Sequence, residues 1–471
     1  MTLTSDKRVT LHSDAPRPST RPRRKSKARA VKGLRDRPKP DRSFEAMRPE
    51  PRRRKSLANL KIGILSHWFD PEGGAAAGPG TIARALQARG HEIDVLTGYP
   101  IYPAGRVFDG YRIRPYMRET IRGVTVHRVP AYPSHDDNAA RRMANYLTYG
   151  ASSTIAAPVV LGKSDVVFVY SSPATAAIAA GPLRALRGIP YVMQIQDLWP
   201  DTVTSSGFVD GTASSRMEQV LHVFCNETYK RAAHIAVISA GMGDVLRSRG
   251  VPPEKISVIP NWAEESAFRP VPRDEVLAAS LRINRKFTIM YAGNFGEMQN
   301  LDTLLDAASL LRHRRDIGFA LVGAGVRGDR LTERVEKQEL DNVIFVGSQP
   351  FERMAEILAL ADAQIVSLKD VPLYRITMPS KIQANMAAGQ PIIAAVAGDA
   401  ARVVEEAGCG WSVPPGDANA LASAIAELAD MNPLAREALG RKSREYYASN
   451  FSEKSVGDSL EDLLYQHRKR W

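Results

Sequence analysis

The stretch KIGILSHWFDPEGGAAAGPGTIARALQARGHEIDVLTG, residues 61–98, decides the fold. Leu60, Ile62, Ile64 and Leu65 form a short apolar run of strand type. A glycine-rich loop follows from Gly73 to Gly80, then a helical pattern through Ile82, Ala85 and Leu86 that stops at Gly90. Ile93, Val95 and Leu96 make a second strand, ended by Gly98. Strand, glycine loop, helix and strand in this order are a βαβ unit.

The pattern recurs downstream. Strand-like runs at 166–169, 191–195, 235–238 and 256–259 alternate with helical stretches at 174–186, 213–232 and 240–249. A looser stretch with prolines, 260–285, reads as a boundary. A second series then places strands at 287–291, 319–322, 343–346, 363–367 and 392–395. Its helices are expected at 301–312, 331–339, 354–361, 380–388 and 418–431, with charged helical segments at 434–449 and 452–470. Such alternation implies parallel sheets with both faces covered. The expected architecture is α/β: two doubly wound, Rossmann-like domains facing a cleft. Residues 56–270 form the first, 271–285 a linker and 286–440 the second. Residues 441–471 form a helical segment that packs back on the first domain. Ligands of these folds sit beyond the carboxyl ends of the strands.

Composition narrows the function. Of 471 residues, 44% are hydrophobic and 24% charged, a soluble globular balance. Two cysteines, Cys225 and Cys409, rule out a disulfide scaffold or a cysteine zinc cluster and fit a reducing compartment. There is no apolar run of about eighteen residues and no apolar core behind the charged N-terminus, so neither a membrane span nor a secretory signal is expected. A cytoplasmic location follows, with peripheral attachment to the inner face of a membrane as an option.

The net charge of +13 belongs to the first 55 residues, which hold 19 Lys/Arg against 6 Asp/Glu; the remaining chain holds 45 of each. That tail is rich in Pro, Ser and Arg and is expected to be disordered. Its run Arg52, Arg53, Arg54, Lys55 suits an anionic surface, either lipid head groups or nucleic acid; a solvated extension or a misassigned start codon explains it as well. The neutral remainder argues against nucleic acid as the main partner.

Several local features carry chemistry. The Gly73–Gly80 loop lets backbone approach a phosphate at a helix N-terminus, although a tight strand-to-helix turn explains it equally. Asp197, in Gln196-Asp197-Leu198-Trp199-Pro200-Asp201, follows a buried strand and is placed to face the cleft, with a turn or cap as the alternative; Asp201 reads as a cap. Met378-Pro379-Ser380-Lys381 opens a helix, with Ser380 as N-cap. Lys381 in the first turn opposes the helix dipole, an oddity that a bound anion would resolve and a solvent-pointing lysine would not require. Arg375 could join the same anion site. His67 lines the cleft or is structural. Tyr99, Tyr102, Tyr111 and Tyr116 with Arg106, Arg112, Arg114 and Arg118 form an aromatic, basic segment: a site for acceptor, anionic lipid or RNA, or a plain surface loop. No histidine spacing suits zinc, and no Asp-x-Asp pair suits a magnesium nucleotide, so no metal is expected.

The order of these motifs resembles the retaining GT-B glycosyltransferases of family 4, in particular the colanic-acid and O-antigen branch with its L-fucosamine transferase-like proteins. The resemblance runs over roughly residues 59–460. It is carried by KIGILSHWFDPEGGAAAGP, VMQIQDLWPDTVTSSG, ISAGMGDVLRSRGV and VIPNWAEE, then by YAGNFGEMQNLDTLLDAA, LVGAG, NVIFVG, PSKIQANMAAGQPIIAA and AGCGWSVPPGD. It implies a GT-B fold with acceptor binding in the first domain and nucleotide-sugar binding in the second. It implies a hexosyltransferase-like transfer with retention at the anomeric carbon. Asp197 then falls on the catalytic-site position after a first-domain strand. Gly73 and Gly74 fall near the donor diphosphate, Gly293 and Asn294 open the second domain's first loop, and Gly323 and Gly325 flank the nucleotide.

Two departures from the family stand out. A basic residue common before the helix at Leu301 is replaced by Gln299, and the family's pair of glutamates is replaced by Ile376 and Ala384. Lys381 is the expected substitute for the missing cation, and Asp399 or Glu405 the expected ribose partner. The expected partners are a nucleoside-diphosphate-sugar donor, a lipid-linked saccharide acceptor and, through the tail, an anionic membrane. The setting is exopolysaccharide or O-antigen assembly. Two other classes stay open: a nucleotide-sugar epimerase or hydrolase on the same fold, and a non-catalytic nucleotide-sugar or nucleic-acid-binding protein.

Overall fold

The computed structural model describes residues 58–135, 138–202 and 212–469. The reading of residues 1–55 as a basic, disordered tail lies outside the described residues.

The first sheet has eight strands, β1 (Lys61–Leu65), β2 (Glu92–Thr97), β3 (Met117–Ile121), β4 (Val124–Arg128), β5 (Val166–Ser171), β6 (Tyr191–Ile195), β7 (His234–Val237) and β8 (Ile256–Val258). Their spatial order is β3-β4-β2-β1-β5-β6-β7-β8. All neighbouring pairs are parallel except β3 with β4. Central strands such as VVFVYS in β5 and YVMQI in β6 are buried along their whole length, as a sheet covered on both faces requires.

The second sheet has β9 (Phe287–Ala292), β10 (Ile317–Val322), β11 (Val343–Gly347), β12 (Ala363–Ser367), β13 (Ile392–Ala395) and β14 (Gly410–Val413). Their order is β11-β10-β9-β12-β13-β14, all parallel.

The C-terminal chain touches both sheets. The Pro433–Asn450 helix packs on the Ser380–Ala387 helix of the second sheet. The Glu453–Gln466 helix, capped by Ser452, sets Val456, Leu460, Leu463 and Leu464 into one core with Leu60, Ile62 and Phe168 of the first. Arg89 Nη2 donates to the Glu453 carbonyl at 3.1 Å, pinning the start of that helix.

Some elements depart from the sequence reading. The Tyr99–Arg118 segment runs into a hairpin: β3 and β4 are joined through Arg122 and Gly123, with φ of +49° and +84° as a type I′ turn needs. The Ala139–Val160 helix, capped by Asn138, was not expected. The 271–285 stretch holds a short helix, Glu275–Ser280, whose start is capped by Asp274, and Ala278 and Ile283 join a core with Leu358 and Leu360. Among the described residues no helix is long and apolar enough to cross a membrane.

Candidate functional site

The carboxyl ends of β1, β5, β6 and β7 carry the first half of the site. Asp197 lies two residues beyond β6, and Ser172, one residue beyond β5, donates its hydroxyl to Asp197 Oδ2 at 2.6 Å. Burial raises the Asp197 pKa and the Ser172 hydrogen bond partly opposes the shift. Tyr146 and Tyr170 lie close enough to feel its charge. Asp201 pairs with Arg249, a structural role.

The glycine loop packs beside these strand ends. Gly73 and Gly74 are exposed and lead through a single 3-10 turn, Gly74–Ala76, into the Gly78–Ala88 helix. A Cβ at Gly78 would strike the Tyr170 hydroxyl, so the helix start can approach Tyr170 only as glycine. Glu72 fixes the loop. Its buried carboxylate accepts the backbone N–H groups of Phe69 (3.0 Å), Ile101 (2.8 Å) and Tyr102 (2.8 Å). Sequence reasoning missed Glu72, because two of its three partners, Ile101 and Tyr102, lie about thirty residues away.

His67 is structural. Its Nε2 meets Asn145 Oδ1 at 2.7 Å, and Asn145 in turn donates Nδ2 to the Tyr132 carbonyl at 2.6 Å, which assigns the proton to His67 Nε2. Burial pushes its pKa down to about 3, so the ring is neutral at any physiological pH.

The second half of the site is built from the loops after β9 and β10. Gly293 N–H donates to the Val322 carbonyl at 2.9 Å and Phe295 N–H to the Ala324 carbonyl at 2.8 Å, so the two loops run joined. Gly293 and Gly323 have φ of +141° and +135°, and a Cβ on Gly323 would strike the Gly293 carbonyl. Gly325 abuts Asn294 and Phe295 just as closely. Lys381 lies across this surface. A Cβ on Gly293 would collide with its Cε, and its Nζ stands 5.2 Å from the Tyr291 ring centroid. Burial lowers its pKa, and among the described residues no carboxylate pairs with it. A half-buried ammonium at the start of a helix, over joined glycine loops, is an arrangement that an anion would suit.

The remaining expected residues fall elsewhere. Ser380 is the first helical residue and makes no capping bond; Pro379 occupies the cap position. Arg375 is exposed and gives its guanidinium to Asp370 in a two-pronged pair at 2.7 Å, so its charge is already neutralised. Asp399 is buried, accepts Gly241 N–H at 2.6 Å and pairs with Arg402, so both of its carboxylate oxygens are engaged within the protein. Glu405 is exposed near the far end of the Asp399–Ala407 helix, about 9 Å along the axis from its start, and so away from the strand ends. Gln299 stands in the turn before Leu301, while nearby Glu297 is held by Lys369 and Arg327.

The two halves are linked. Gln196, beside Asp197, exchanges amide hydrogen bonds with Asn261 at 3.1 and 2.7 Å. Gln383, two residues from Lys381, donates to the Asn261 carbonyl at 2.6 Å. Among the described residues no group of His, Cys, Asp or Glu is arranged to hold a metal ion.

Comparison with known proteins follows this division. Residues 73–262 match the family described as Glycosyl transferase 4-like domain, and residues 286–431 match Glycosyl transferases group 1. The fold matches sucrose-phosphate synthase from Thermosynechococcus elongatus with a TM-score of 0.64 at 22% identity, over 87% of this chain and 99% of that one. It also matches Anabaena HepE, solved with UDP and glucose, with a TM-score of 0.62 at 17% identity, over 86% and 99%.

The chain is a glycosyltransferase of GT-B type.

Among sequence relatives, the glycosyltransferase is 27% identical to WcaI of Escherichia coli K12, named for colanic acid biosynthesis, over 70% of this chain and 82% of WcaI. It is 26% identical to WbjE of Pseudomonas aeruginosa, named as a glycosyltransferase, over 62% and 72%.

Proposed function

We propose that this glycosyltransferase moves a sugar from a nucleoside-diphosphate-sugar to an acceptor hydroxyl with retention at the anomeric carbon. The acceptor we propose is a lipid-linked saccharide in cell-surface polysaccharide assembly. The observation that carries the reading is Lys381, a half-buried cation without a carboxylate partner among the described residues, over the joined glycine loops. A relative named for colanic acid biosynthesis and a fold neighbour solved with UDP and glucose support the pathway and donor class.

In this reading the donor diphosphate lies against Gly293, Asn294, Gly323 and Gly325, with its charge on Lys381. As the bond from the anomeric carbon to the diphosphate breaks, negative charge grows on the leaving oxygen, where Lys381 and the Ser380–Ala387 helix start are already placed. The acceptor hydroxyl forms the new bond from the same face, and its proton leaves with the diphosphate. Asp197, held by Ser172, orients the acceptor or the donor sugar. The basic residues of the tail add attraction to an anionic membrane.

The deciding experiment measures release of nucleoside diphosphate with and without a lipid-linked acceptor, together with the anomeric configuration of the product by NMR. Acceptor-dependent release and a retained configuration are expected. Acceptor-independent release would make the protein a hydrolase, and an inverted product would remove the front-face route.

A further inference from the structure

Asn261 stands where the chain leaves the first sheet for the second, and it is bonded to both halves. It lies three residues beyond β8, directly after Pro260, whose ring fixes the entering backbone. Its side chain reaches back past β7 to the end of β6. There Asn261 Oδ1 accepts from Gln196 Nε2 at 3.1 Å, and Asn261 Nδ2 donates to Gln196 Oε1 at 2.7 Å. This is a closed pair in which each amide satisfies the other. The main chain serves the second half: the Asn261 carbonyl accepts from Gln383 Nε2 at 2.6 Å. One residue thus holds the first half by its side chain and the second by its carbonyl, with only its own few bonds between them.

The surrounding residues support this arrangement. Gln194, fully buried in the otherwise apolar strand YVMQI, donates Nε2 to the Ile259 carbonyl at 3.0 Å, so β6 grips the connecting segment twice. A buried amide costs free energy unless it is bonded, and a glutamine in such a strand points to a specific partner. Gln383 is buried as well, on the Ser380–Ala387 helix. It follows Lys381 by two positions, about 200° round the helix, so the two side chains leave on opposite sides. Lys381 lies over the joined glycine loops, and Gln383 holds the connecting segment.

We propose that Asn261 is a positioning residue for glycosyl transfer, the strut that sets Asp197 of the first half against Lys381 of the second. This rests on the function proposed above, in which Asp197 orients the acceptor or the donor sugar and Lys381 holds the diphosphate. Front-face transfer needs the acceptor hydroxyl, the anomeric carbon and the leaving oxygen together, and a misplacement of about 1 Å can cost about a hundredfold in rate. The contact of Asp399 with Gly241 also joins the halves, but it ends at neither Asp197 nor Lys381. The strut through Asn261 ends one residue from the first and two residues from the second.

The test is a mutant cycle in the full-length protein. Asn261→Ala cuts the strut from Gln196 and keeps the carbonyl for Gln383, while Gln383→Ala cuts it at the other end. Release of nucleoside diphosphate is followed from UDP-glucose, UDP-N-acetylglucosamine and GDP-mannose, with and without a bacterial lipid extract as acceptor, and UDP binding is followed by isothermal titration. Each single variant should lower kcat at least about tenfold, with donor KM and UDP affinity within about twofold of the wild type. The share of donor lost to water should rise, because the acceptor hydroxyl is no longer held in line. The double variant should be no slower than the slower single variant, since a strut cut at one end is already cut. Gln196→Ala replaces Asn261→Ala if the latter disturbs folding. Unchanged kcat in both single variants would overturn the proposal. Additive losses would overturn it too, leaving two independent contacts, and so would a fall in UDP affinity in step with kcat. Acceptor-independent release at full rate by the wild type would remove the proposed function instead. The same cycle read on hydrolysis would then decide the strut, with equal losses in single and double variants supporting it and no loss overturning it.

Discussion

Asp399, at the start of a helix on the second sheet, accepts the backbone N–H of Gly241, at the start of a helix on the first, at 2.6 Å. A carboxylate on the open N–H groups of a helix start is favourable in itself, and here it acts between the two halves of the enzyme. The same contact explains two neighbours. Ser239 donates its hydroxyl to the Ile376 carbonyl, and Gly241 carries no side chain because a Cβ would strike Ile376. Ile376 is a position where the resembling family has a glutamate. In this chain that position and Asp399 both serve the docking of the two halves.

Asp399→Ala should therefore act on stability before it acts on the donor. It strands the Gly241 N–H and leaves Arg402 without its partner, at a cost of about 1–3 kcal/mol. Chemical denaturation checks this. Weaker nucleoside binding with unchanged stability would return Asp399 to the ribose.

Asp197→Asn should separate function from stability. Asn keeps an oxygen for the Ser172 hydroxyl but loses the charge, and transfer should fall by at least about a hundredfold. Because the folded pKa of Asp197 is raised, its ionisation costs stability: the contribution is fullest below the unfolded pKa and is lost as pH rises through the folded value. The neutral variant should thus melt at or above the wild-type temperature at pH 7. A clear fall in melting temperature, or near-normal turnover, would remove Asp197 from this role.

What could be read from the chain depended on how local its cause was. The buried strands and glycine turns show in any short window, since their apolar runs and punctuation are local. Lys381 was legible for the same reason, as a cation misplaced in a first helical turn. The β3–β4 hairpin was not, because MRETI is a half-exposed edge strand without alternation strong enough to stand out. The Ala139–Val160 helix hid because Ile155 and Val159 put apolar groups on its outer face and blurred its period. The contacts of Asp399 and Glu72 were not legible because those partners are remote in sequence: Gly241 for the first, Ile101 and Tyr102 for the second. Only the folded chain brings them together.

Transfer activity should persist in EDTA. The groups expected to meet the diphosphate are the Lys381 ammonium and the N–H donors of helix starts, and the described side chains include no cluster of metal-binding type. Loss of activity with chelator, restored by magnesium or manganese, would show that the donor brings a metal into the site.

The last prediction concerns Lys381 and Gly293 together. Lys381→Ala removes a charge-assisted contact to phosphate, worth roughly 1.5–3 kcal/mol, so nucleoside diphosphate should bind about ten- to a hundredfold more weakly while nucleoside binding barely changes. Gly293→Ala should produce a similar loss by a different route. Its φ of +141° strains any side chain, at about 1–3 kcal/mol, and the new methyl would push the Lys381 ammonium off the Tyr291 ring. With Lys381 already truncated, that collision disappears. The double variant should then bind diphosphate no worse than Lys381→Ala alone, a coupling that isothermal titration of the four proteins measures. Additive losses would mean that Gly293 acts on the donor directly through its backbone, and that Lys381 is held in place by other neighbours.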